Sequence, residues 1–212
     1  MMEILRVLLW GHIIMGSIGL VSGSVNMICK KGTMTHKIVG KIFYISLGIA
    51  MVLSIPISID KSNHFLFIIA IWTLYMLITG VRALHILSSN KVKMIDWVIT
   101  GAMAIFGFAL LIIAFRYFIH SQIFGSVPLV FGIISMFFVR NDISYFKTES
   151  GLLSKSMSIH IQRMAGAFIS STTAFLVVNN TILPSVLAWL LPTILLVPVL
   201  VYWSNKWKPT KN

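Results

Sequence analysis

Apolar residues run along this chain in stretches of about twenty, separated by short polar punctuation. The runs near 4–28, 37–59, 65–87, 95–116, 123–140, 159–181 and 184–204 predict seven helices, each long enough to cross a hydrocarbon layer roughly 30 Å thick. The expected fold class is an all-α, polytopic transmembrane helix bundle, forming a single integral membrane domain over residues 1–212. Pro184 suits the N-terminus of the last helix, and Pro192 and Pro198 are expected to kink it. Pro56 is a further break, inside the second helix.

Composition supports that picture. The chain is 58% hydrophobic and 10% charged, with a mean hydropathy of +0.94, where soluble domains run near a quarter charged. The net charge of +12 points to nucleic acid only until the basic residues are placed. All of the 17 Lys and Arg except Arg6, Lys61 and Arg116 fall in or beside three loops and the tail, on one side of the predicted bundle. The positive-inside rule then puts the N-terminus outside and the C-terminus in the cytoplasm. The expected partners are the lipid bilayer and anionic head groups on the cytoplasmic face, not nucleic acid. The expected location is a cell membrane, of the bacterial inner-membrane type. A cleavable signal peptide ending near Ser22-Gly23-Ser24 is the alternative reading of the N-terminus. Its weakly basic start and long apolar stretch favour an uncleaved first span. The single cysteine, Cys29, excludes an intrachain disulfide and reads as filler beside a span.

Within the helices, polar and small residues form stripes. His12, Gly16, Gly19, Gly23 and Asn26 stay within roughly an 80° arc at helical spacing. The stripe reads first as a packing seam with one satisfied histidine, and second as room for a flat ligand beside His12. On the third helix Tyr75, Thr79, Arg82 and His85 share roughly a 120° arc. Arg82 either snorkels to the head groups or faces the bundle. His160, Arg163, Ala167, Ser171 and Ala174 share a face of the sixth helix, and His36, Gly40 and Phe43 open the second. His36, His85 and His160 all fall at the expected cytoplasmic ends, whereas His64 and His120 read as solvated outer residues. Of the five acids, Glu3, Asp60, Asp96, Asp142 and Glu149, none is expected deep in a span. Arg82 and Arg163 therefore lack a carboxylate on their own helices. Asp142, expected in the loop after the fifth helix, or Asp96 is placed to reach one of them. Otherwise the cations await a lipid phosphate, a haem propionate or an anionic substrate.

These stripes define a candidate cytoplasmic-side site of His36, Arg82, His85, His160 and Arg163, with His12 and Tyr75 as secondary members. The ligand expected first is haem b or another anionic redox cofactor, ligated by histidines and held by arginines. A transporter, or a protein binding lipid or an anionic small molecule, is the rival class, although the helix centres carry few of the ionisable groups that ion coupling needs. A third reading is a membrane zinc hydrolase, with His36, His85 and His160 as ligands and Asp142 or Asp96 as base. The chain has no Walker A sequence, no His-Glu-x-x-His and no Gly-x-Ser-x-Gly, and no catalytic residue is assigned. The one hint of a repeat is the order span, basic loop, histidine, which occurs at His36 and again at His160.

Two stretches carry a resemblance. "KGTMTHKIVGKIFYISL" (31–47) and "HIQRMAGAFISSTTAFLVVN" (160–179) resemble a family of predicted bacterial multipass membrane proteins of unknown function. There a His-x-x-x-Gly opens one span, and a His with a nearby Arg-Met opens another. His36 with Gly40, and His160 with Arg163-Met164, match those points, and His12 ahead of a glycine-rich span fits as well. The resemblance implies that these positions form a site, without implying its chemistry. A looser similarity to the spans of b-type cytochromes and ferric reductases favours the haem expectation.

Overall fold

The computed structural model describes residues 2–120, 125–147 and 152–206. Among the described residues there are seven helices and no strand: α1 (Met2–Ile28), α2 (Met34–Asp60), α3 (His64–Ser89), α4 (Met94–Ile119), α5 (Ser126–Phe146), α6 (Leu152–Asn179) and α7 (Ser185–Lys206). Six of them, α1 to α6, are long and apolar enough to cross a membrane. These are the helices of a multipass membrane protein. Residues 123 and 124, expected to open the fifth span, and the basic tail residues Lys208 and Lys211 lie outside the described residues.

The turns follow from local chemistry. Between α1 and α2, Gly32 takes a φ of +81°, a conformation glycine adopts without a Cβ penalty. The Thr33 hydroxyl oxygen accepts the His36 amide at 3.4 Å, an N-cap that satisfies one of the unpaired donors of α2. The Lys31 ammonium donates to the carbonyls of Asn26 and Met27 at 2.5 and 3.0 Å, which satisfies acceptors left over at the C-terminus of α1. Burial lowers the Lys31 pKa from its ordinary value, with Cys29 acting more weakly in the opposite direction. Asn63 accepts the Leu66 amide at the start of α3, and Asn90, at a φ of +51°, follows its end.

Two compact units make up the chain. The first comprises residues 1–77 and 164–202, and the second comprises 78–163 and 203–212. In the first, α1 packs along α2. At Gly19 the helix meets backbone: a Cβ there would stand 3.2–3.3 Å from Leu47, backbone atoms included. Gly23 fits against the rings of Phe168 and Phe43, which meet edge to face. The packing-seam reading of the glycine stripe therefore holds at Gly19 and Gly23. Another face of α1 is exposed, with Val7, Trp10 and Val21 all more than 60% accessible, as suits a surface solvated by lipid tails.

In the second unit α4 packs along α5. The buried residues of α4 are Asp96, Thr100, Met103, Gly107, Leu110 and Ala114, and those of α5 are Pro128, Gly132, Ser135, Val139, Asp142 and Tyr145. Both sets advance by three- and four-residue steps, as one helix face does. The fifth span thus runs on past the expected end at 140, and Asp142 is a buried helix residue instead of a loop residue. Likewise α6 starts at Leu152, so His160 lies two turns inside it.

Candidate functional site

The expected cytoplasmic-side residues are distributed over both units. Arg82, His85, His160 and Arg163 belong to the second, and His36, His12 and Tyr75 to the first. His85 is exposed. His36 is half-buried, and its Nδ1 lies 3.9 Å from the Cys29 sulfur. Tyr75 is buried. Among the described residues, no group of three or more His, Cys, Asp or Glu side chains is placed to hold a metal ion.

The acids correct the sequence reading most. Asp96 and Asp142 are 3% and 2% exposed, and each holds one of the two arginines. Arg82 grips Asp96 with a two-pronged fork, Nε to Oδ1 at 2.7 Å and a terminal nitrogen to Oδ2 at 2.9 Å. Asp96 also accepts the Lys93 amide at 2.8 Å, so one carboxylate caps α4 and fastens it to α3. Arg163 donates to Asp142 at 2.6 Å, and its guanidinium lies 4.0 Å from the centre of the Phe138 ring, a cation–π contact. The Thr100 hydroxyl donates to the other Asp142 oxygen at 3.2 Å. A buried charge is retained when it is paired and hydrogen-bonded, and this arrangement provides both.

A space of about 10 Å³ is lined in part by Thr79, Arg82, Asp96, Asp142 and Tyr145. It is about the size of one water and far too small for a porphyrin or a lipid head group. Nearby, the Tyr145 and Ser156 hydroxyls share a hydrogen bond at 2.5 Å. His160 Nδ1 lies 2.8 Å from the Gly80 carbonyl. A carbonyl only accepts, so this nitrogen carries the proton and the contact ties α6 to α3 within the unit. Of the two partners open to the arginines, an acid of the chain or an external anion, each holds an acid of the chain, Arg82 with Asp96 and Arg163 with Asp142.

The first unit holds a cavity of a different kind, about 400 Å³ in volume. It lies between the N-terminal half of α1, the C-terminal half of α2, the start of α3 and the C-terminal end of α6. Leu20, Leu47, Met51, Ile69 and Ala174 supply apolar wall. His12, Ser17, Ser54, Ser58, Ser171 and Asn179 supply the polar groups, and no Lys, Arg, Asp or Glu is among the lining residues described. Gly16 also lines the cavity. A Cβ there would meet nothing closer than the Ala50 Cβ at 3.9 Å, so this glycine borders space where Gly19 and Gly23 border packed atoms. Exposed Leu9, Ile13, Phe175 and Val178 form its open edge.

Of these polar groups, His12 stands out most in the sequence, as the head of the glycine stripe. Ser171 and Ala174 were visible as one face of α6, but their continuation to Asn179 reads as an ordinary helix end. Ser54 and Ser58 flank Pro56 and leave no mark in a hydropathy pattern. Comparison with protein-family models, with curated proteins and with solved structures finds no match.

Proposed function

We propose that this chain is a multipass membrane protein that binds an uncharged, mostly apolar small molecule or lipid in the first unit's cavity, without transforming it chemically. The observation that carries this reading is the cavity itself. Its volume, about 400 Å³, lies in the roughly 300–1,000 Å³ range of small-molecule pockets, and its lining combines apolar walls with a few placed polar groups, as such pockets do. An open edge of exposed apolar residues suits entry from the lipid phase. In this reading α7 is a seventh span, the basic loops face the cytoplasm and hold anionic head groups, and the cavity lies toward the outer half of the membrane.

The haem expectation draws less support. Its two cations are neutralised within the chain by Asp96 and Asp142, and a neutral pair offers little attraction to a propionate.

The test is to purify the protein in mild detergent, record an absorbance spectrum, and extract and weigh whatever remains bound. The expected result is no Soret band and a bound neutral amphiphile, lost in Gly16→Leu, which extends a side chain into the cavity, and kept in Gly16→Ala. A Soret band, or a bound molecule indifferent to Gly16→Leu, refutes the reading.

A further inference from the structure

The polar groups of the cavity are not equivalent to a generic wet rim, because most of their hydrogens are already committed. Ser54 donates its hydroxyl to the Met51 carbonyl at 2.7 Å, Ser58 to Ile55 at 2.8 Å, and Ser171 to Phe168 at 3.0 Å. Each serine has one O–H to give and two lone pairs. With the proton bonded back to its own helix, what remains for a ligand is an acceptor. His12 Nδ1 lies 2.8 Å from the Ala50 carbonyl. That oxygen has no proton, so Nδ1 carries the hydrogen, and in the neutral tautomer this leaves a lone pair on Nε2. Asn179 gives an amide hydrogen to Phe175 at 2.8 Å, which fixes its amide orientation and leaves Oδ1 as an acceptor beside one further N–H. Ser17 alone shows no such commitment, and it sits at the exposed edge.

Ser58 and Ser171 are 3% and 5% exposed, so the acceptors extend to the buried wall of the cavity. Among the described lining residues there is neither a cation to attract an anion nor a carboxylate to hold an ammonium. Away from the exposed edge, where Ser17 and Asn179 keep an O–H and an N–H, a carbonyl, ether or quinone oxygen entering this space meets lone pairs with its own lone pairs. A hydroxyl finds acceptors.

We infer that the cavity selects an uncharged, apolar molecule carrying a hydroxyl group, of the phenol, hydroquinone or lipid-alcohol class, whose O–H is accepted by His12 Nε2 and the serine oxygens. This rests on the proposed ligand-binding role of the cavity and adds which end of the hydrogen bond the ligand must supply. It further implies that of a hydroquinone and its quinone, the reduced partner is the one bound.

The test uses the full chain in phosphatidylcholine nanodiscs, with empty nanodiscs correcting for partition, and two probes matched in size: 1-naphthol, which donates, and 1-methoxynaphthalene, which does not. The expected result is that 1-naphthol binds about tenfold more tightly, the equivalent of about 1.4 kcal/mol and of one net hydrogen bond. His12→Phe should reduce that preference toward parity, and His12→Gln, which restores an acceptor, should recover part of it. Ser58→Ala provides an independent reduction should the His12 variants fold poorly. Equal binding of both probes, or tighter binding of the ether, overturns the donor inference and leaves the cavity reading intact. Binding of neither probe, or binding unaffected by Gly16→Leu, overturns both.

Discussion

Replacing Arg163 by Met should destabilise the protein far more than the loss of one surface ion pair, and replacing Asp142 by Leu in the same molecule should restore most of that loss. The pair is buried on both sides, with side-chain exposures of 4% and 2% and a 2.6 Å contact. Exposed pairs are worth about 0–1 kcal/mol, whereas removing one partner of a buried pair costs about 3–5 kcal/mol, because the other charge stays behind without its counter-ion. Arg163→Met also gives up the contact with Phe138, worth on the order of 1 kcal/mol. Asp142→Leu alone strands the guanidinium and should cost a similar amount. In the double variant no charge is stranded, and replacing a buried pair by apolar residues of similar volume is often neutral or better. The double-mutant cycle should therefore show a coupling of about 2 kcal/mol or more, within the range for residues in contact. Reversible unfolding of the four proteins in mixed detergent micelles reads this out. If Arg163→Met costs under about 1 kcal/mol, or if the two substitutions add without coupling, the carboxylate is not what the arginine is there for. An external anion would then return as its partner.

Three other outcomes follow from the same coordinates. Gly107→Ala and Gly132→Ala should each destabilise by about 1–3 kcal/mol in thermal unfolding, because the added Cβ would stand 2.7 Å from Ser135 and 2.8 Å from Leu111 respectively; Gly101→Ala, with nothing within 4 Å, should be neutral or gain up to about 1 kcal/mol. Lys31 has a pKa lowered in the folded protein by burial, so the unfolded chain binds the proton more readily between the lowered value and the ordinary 10.5. Stability relative to Lys31→Gln should therefore rise with pH across that window and be flat below it, and a fall would refute the burial argument. Reporter fusions in the loop after Cys29 and at the C-terminus should both report cytoplasm, whereas opposite sides would show that α7 does not cross.

The helices were legible because a membrane span needs only length and hydropathy, and both are written residue by residue. The end of α5 was not. "VRNDISYF" (139–146) is polar enough to read as a loop, yet Val139, Asp142 and Tyr145 continue the buried face of the helix. The missing information was tertiary: a carboxylate can stay helical and buried there because Arg163, 21 residues further on, supplies the charge that burial requires. The same partner decided the meaning of the arginines. Read along the chain, Arg82 and Arg163 have no acid on their own helices, and either Asp96 or Asp142 or a ligand is left to supply the anion. In the fold each has an acid from the neighbouring segment, Asp96 at 14 residues' separation and Asp142 at 21. Conversely, the cavity's serines carry no charge and break no hydrophobic run, so a search for ionisable residues passes over them. Charge in a membrane protein therefore does not by itself mark a ligand site. Where the opposite sign is within reach it marks a joint between helices, as at Asp142 and Arg163. The space left for a ligand is marked instead by what packing leaves unfilled: Gly16 facing open volume where Gly19 and Gly23 meet atoms, and hydroxyls whose protons are already given away.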